Sequence, residues 1–122
     1  AMENYAFKGI NQKNGFSISL KELYPDSCHP PIIGVDMYKI LSQSKIVFNK
    51  HADVAFGNVG NMRMFEATGV GTCLLTDTGS NMPDLFEDGK EVVTYKTIDE
   101  AVEKVNYLLD HPNETEQIAK AG

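Results

Sequence analysis

Arg63 and Glu66 stand one helical turn apart, just downstream of Gly57 and Gly60, and this spacing suits a phosphorylated ligand. The glycines let the backbone approach a ligand closely. A helix beginning near residue 61 leaves the N–H groups of Gly60, Asn61 and Met62 without intrahelical partners. Those donors and the helix dipole attract a diphosphate, with Arg63 near enough to pair with it. Glu66 accepts hydrogen bonds from a vicinal diol such as a ribose. The same residues also read as an exposed i,i+3 ion pair beside a turn, and pattern alone does not separate the two.

A second set of candidates lies at two strand ends. Asn49 and His51 alternate to one side of a strand, so both face one crevice, where His51 donates to a phosphate or sugar hydroxyl or carries a proton. Asp53 is spaced to orient His51. Asp77 forms a strand-end loop with Thr76, Thr78, Gly79, Ser80 and Asn81, rich in small hydrogen-bonding groups that suit a sugar and equally suit a turn. His29, His111 and the acidic group Asp84, Glu87 and Asp88 read as structural or solvated. No Asp/Glu/His cluster has metal-ligand spacing, so no all-protein metal site is expected.

Alternating strands and helices must hold these residues in place. Residues 5–7 and 16–20 read as short strands, and Pro25, Pro30 and Pro31 make the stretch between irregular. A helix starts at Asp36 with Met37, Ile40 and Leu41 on one face. Residues 45–49 form a buried strand on Ile46, Val47 and Phe48. A helix over 61–68, a strand over 72–76 and a strand over 91–95 follow. Thr97 and Glu100 are spaced as a capping box for a helix whose apolar stripe is Ile98, Ala101, Val102, Val105, Leu108 and Leu109. Pro112 suits the first turn of a final helix. The pattern predicts an α/β, Rossmann-like three-layer sandwich with a mostly parallel sheet.

Composition narrows the partners. The 122 residues suit one domain, and a net charge of −6 argues against nucleic acid, whose backbone needs clustered Lys and Arg. No apolar run is long enough to span a bilayer. The two cysteines, Cys28 and Cys73, have neither the number nor the context of a disulfide framework. A buried reduced Cys73 points to the cytoplasm.

From about residue 34 to 122 the chain resembles the C-terminal, nucleotide-sugar-binding domain of group-1-like glycosyltransferases of the GT-B architecture. The nearest resemblance is to those found in spore-maturation and surface-polysaccharide proteins. Ordered stretches carry it: Ser-Lys-Ile-Val-Phe-Asn-Lys-His over 44–51, Gly-Asn-Met-Arg-Met-Phe-Glu-Ala-Thr-Gly-Val-Gly over 60–71, Leu-Leu-Thr-Asp over 74–77 and Asp-Leu-Phe-Glu-Asp-Gly-Lys-Glu-Val-Val-Thr-Tyr over 84–95.

The resemblance implies a single donor-binding domain over 1–122 that holds a nucleotide-diphosphate sugar as substrate, with no cofactor and no metal. Arg63 and His51 are then the catalytic candidates, and Asn49, Asn58, Gly60, Asn61, Met62, Arg63, Glu66 and Asp77 the donor contacts. Many relatives carry two glutamates separated by seven residues. The second matches Glu66 and holds the ribose, whereas the first falls at Asn58, which has no carboxylate. The resemblance also implies a fragment without its first strand and without the N-terminal acceptor domain, inactive by itself and prone to self-association through exposed interdomain surface. A non-catalytic scaffold or partner-binding module is the competing reading.

Overall fold

A computed structural model of the chain describes residues 19–52 and 56–122. The strand expected over 5–7, most of that over 16–20, and Asp53 lie outside those residues. The chain divides into two compact units, residues 1–34 and 35–122.

In the first unit, Ser19 caps a four-residue helix α1, Leu20–Leu23, where alternation predicts the end of a strand. The reason is a reciprocal capping box. Ser19 Oγ accepts from the Glu22 amide at 3.3 Å, and Glu22 Oε2 accepts from the Ser19 amide at 3.4 Å. A 3-10 turn follows at Pro25–Ser27, with proline in its first turn.

The second unit runs α2 (Val35–Gln43), β1 (Ile46–Asn49), α3 (Met62–Gly69), β2 (Cys73–Asp77), α4 (Met82–Leu85), β3 (Val93–Tyr95), α5 (Ile98–Asp110) and α6 (Pro112–Ala121). The three strands lie in the order β1-β2-β3 and are parallel, with Val47 opposite Leu74 and Leu75 opposite Val93. Leu41, Met64, Ala67 and Met82 from α2, α3 and α4 pack with Val47 and Leu74 on one face. Ala101, Leu108 and Ile118 from α5 and α6 pack with Cys73, Leu75, Val93 and Tyr95 on the other. This is the expected α/β, Rossmann-like architecture. Central β2 is covered on both faces, which is why its four leading residues are all buried. No helix among the described residues is long and apolar enough to cross a membrane.

Four details differ from expectation. Phe48 is 53% exposed rather than buried, and its ring stacks on Tyr95 at 5.3 Å. Among the described residues β1 is an edge strand, and the helices on Phe48's face lie over β2 and β3. Ile40 is also exposed, because α2 meets the core through Leu41 and Met37. The α5 stripe splits as well. Ala101 and Leu108 are buried, whereas Ile98, Val102 and Leu109 face solvent. Its capping box is half formed, since Thr97 Oγ1 accepts from the Glu100 amide at 3.2 Å while Glu100 accepts from the Lys96 amide instead of that of Thr97.

Candidate functional site

The ends of β1 and β2 and the start of α3 meet in one hydrogen-bonded junction. Parallel register sets Asn49 opposite Thr76, so both side chains share a face of the sheet. Asn49 Nδ2 donates to Thr76 Oγ1 at 3.0 Å and to Asn61 Oδ1 at 3.1 Å, and Asn61 Nδ2 donates back to Asn49 Oδ1 at 3.0 Å. Asn61 is also the N-cap of α3, accepting from the Met64 amide at 3.3 Å. One asparagine therefore closes the helix start and ties it to the sheet. Below it, the Tyr95 hydroxyl donates to the Asn49 carbonyl at 2.8 Å. Burial, and then the Asp77 charge, push that phenol up to about 12, so it stays a proton donor.

His51 completes the junction. Its backbone N–H reaches both Asp77 carboxylate oxygens at 3.0 Å, and its Nδ1 lies 2.7 Å from Asp77 Oδ1. Nε2 accepts from the amides of Gly60 at 2.9 Å and Asn61 at 3.1 Å. Two N–H groups aimed at Nε2 require the proton on Nδ1, which donates a hydrogen bond to Asp77. The ring is buried, with both nitrogens engaged.

The sequence predicts free amides at residues 60–62, and the structure corrects this. Those of Gly60 and Asn61 are taken by His51, a tertiary partner nine and ten positions away. Among the described residues, the first-turn amides without a hydrogen bond are those of Met62 and Arg63, so the donor pair lies further into the helix.

The loop after β2 serves as a template for residues 57–60. Asn81 clamps Val59, accepting its N–H and donating to its carbonyl, each at 2.8 Å. The Ser80 amide donates to the Gly57 carbonyl at 2.9 Å, and Ser80 Oγ donates to Asn58 Oδ1 at 2.8 Å. Gly79 is required by this close approach, for a Cβ there would sit 2.5 Å from the Gly57 carbonyl oxygen. Gly79→Ala is accordingly expected to cost about 1–3 kcal/mol by forcing the two loops apart. A chemical denaturation series checks this, and an unchanged midpoint would refute the template role.

Arg63 and Glu66 form the second part of the site. Arg63 Nη1 lies 3.3 Å from Glu66 Oε2, and the Glu66 side chain is only 15% exposed. A third partner, Tyr38 on α2, donates its hydroxyl to Glu66 Oε1 at 3.4 Å. Glu66 is thus more than half of a surface ion pair.

Asn49, His51, Gly60, Asn61 and Asp77 come together in one network, and Arg63 and Glu66 in a second a turn along α3. Asn58 is tied to Ser80, and the Met62 side chain is 75% exposed at the helix start. Thr76 and Asn81, loop candidates for a sugar in the sequence, are instead bound to Asn49 and Val59, and Tyr38 and Tyr95 carry no sequence signal because their partners are 28 and 46 positions away. Cys73 is buried, with its thiol pushed up to about 11 by desolvation. Among the described residues no group of three or more His, Cys, Asp or Glu is placed to hold a metal ion.

The model of the family described as "Glycosyl transferase-like" (Glyco_trans_1_2) matches residues 14–122. Neither a curated protein nor a solved structure matches the chain.

Proposed function

This chain belongs to the glycosyl transferase-like family, and from that premise we propose that its second unit binds a nucleotide-diphosphate sugar and presents it for glycosyl transfer. The diphosphate sits at the start of α3, against the Met62 and Arg63 amides and the Arg63 guanidinium. Glu66 takes the ribose hydroxyls. As the glycosyl bond breaks, negative charge grows on the departing diphosphate. Arg63 and the helix terminus stabilise it, and their value comes from being held in place beforehand.

The observation that supports this most is the rigid helix start. Asn49, His51, Asn61 and Asp77 lock residues 60 and 61 to two strand ends, leaving the next two amides and Arg63 available. In this reading His51 and Asp77 are positioning residues, because the His51 lone pair is already spent on two amides. Asn58, standing where relatives carry a carboxylate, contacts the donor through its amide. The reaction belongs to polysaccharide biosynthesis in the cytoplasm.

A thermal-shift titration of wild type and Glu66→Ala with UDP, GDP and ADP tests the proposal. A cognate nucleotide at a hundredfold excess over Kd stabilises by about 2.7 kcal/mol, which is on the order of 10 °C for a unit of this size. We expect that shift in the wild type for one nucleotide, with most of it lost in the variant. Absence of any shift in the wild type would favour a non-catalytic scaffold and overturn the donor-site reading.

A further inference from the structure

Helices α2 and α3 pack side by side, and an open groove of about 400 Å³ is lined by Tyr38, Met62, Phe65, Glu66, Gly69 and Val70. The lining is apolar but for the Tyr38 hydroxyl and one carboxylate. Glu66 is reached by donors from two helices, Arg63 on Oε2 at 3.3 Å and Tyr38 on Oε1 at 3.4 Å. A carboxylate beside an arginine favours turning both oxygens to the guanidinium, in the two-bond geometry that such pairs prefer. Tyr38, anchored on another helix, holds the second oxygen back. Each carboxylate oxygen accepts two hydrogen bonds. With Arg63 and Tyr38 counted, one acceptor position per oxygen is left, which matches two adjacent hydroxyls on one ligand. Met62 and Phe65, both exposed, offer apolar surface to the flat face of a nucleoside.

We propose that Tyr38 is a specificity-determining residue that positions Glu66 to accept the ribose diol, selecting ribonucleoside diphosphates over forms that lack those hydroxyls. This inference rests on the donor-site reading above. Tyr38 acts through Glu66, so its effect follows the diol and nothing else on the ligand.

Isothermal titration of wild type, Tyr38→Phe and Glu66→Gln with UDP, GDP and their 2′,3′-dideoxy analogues separates the cases. The phenylalanine variant keeps the ring and is expected to keep its melting temperature. Its affinity for the ribonucleoside diphosphate is expected to fall about three- to tenfold, the range for losing one ordinary net hydrogen bond. Its affinity for the dideoxy analogue should match that of the wild type, and in the Glu66→Gln background removal of the hydroxyl should have a smaller effect. An unchanged affinity in Tyr38→Phe, or an equal loss for both ligand forms, overturns the role of Tyr38 while the donor site stands. Failure of the wild type to bind any of the four ligands overturns both.

Discussion

Replacing Arg63 with alanine is expected, on the proposed donor-site role, to lower kcat for glycosyl transfer by about 10²–10³-fold, the range found when one preorganised donor to a developing anion is removed. In the proposed mechanism the effect arises in the transition state, where the departing diphosphate carries more charge than in the bound donor. Binding of the nucleotide should weaken less than turnover falls. Stability should barely move, because the Arg63–Glu66 pair is partly exposed and such pairs contribute about 0–1 kcal/mol. Arg63→Lys keeps the charge but not the planar two-bond fork, so it is expected to recover part of the loss. Steady-state kinetics with a melting control measure all of this. Wild-type kcat in Arg63→Ala would remove Arg63 from the chemistry.

His51→Ala has the largest expected effect on the fold. It takes the acceptor from two amides, those of Gly60 and Asn61, and the ring partner from the Asp77 carboxylate. Leaving buried polar groups without partners costs about 1–3 kcal/mol, more where a charge is involved. We expect a loss of about 2–3 kcal/mol and a fall in melting temperature on the order of 10 °C. The helix start would then be free to move, so any nucleotide-induced shift should shrink as well. An unchanged melting temperature would mean that water replaces the imidazole without penalty. A stable variant that binds nucleotide normally and yet loses turnover would return His51 to a direct chemical role.

The elements were largely legible from local pattern. Asn61 read as the first residue of a helix over 61–68 and is the cap of α3, Arg63 and Glu66 fell on adjoining turns, and the apolar run through residue 75 became the central strand. Alternation also put Asn49 and His51 on one side, and both side chains join the network at the start of α3. Alternation was a weaker guide at the sheet edge, where Phe48 is as apolar as a core residue and still meets solvent. Nothing in a strand's own residues says whether a helix will lie over it.

By itself, the sequence determined the order of strands and helices in the second unit, the glycine-bearing turn before α3, and the residue types gathered at the strand ends. These depend on propensities and periodicities that act over a few residues. Tertiary structure decided which donors stay available and which are consumed. His51 reaches 26 positions to Asp77, Asn81 reaches 22 back to Val59, and Tyr38 reaches 28 to Glu66. Hydrogen bonds of that range depend on how parallel strands register and how helices pack across the sheet. The amides of residues 60 and 61 therefore looked free in the sequence and are occupied in the folded chain, because the group that takes them arrives from the end of another strand.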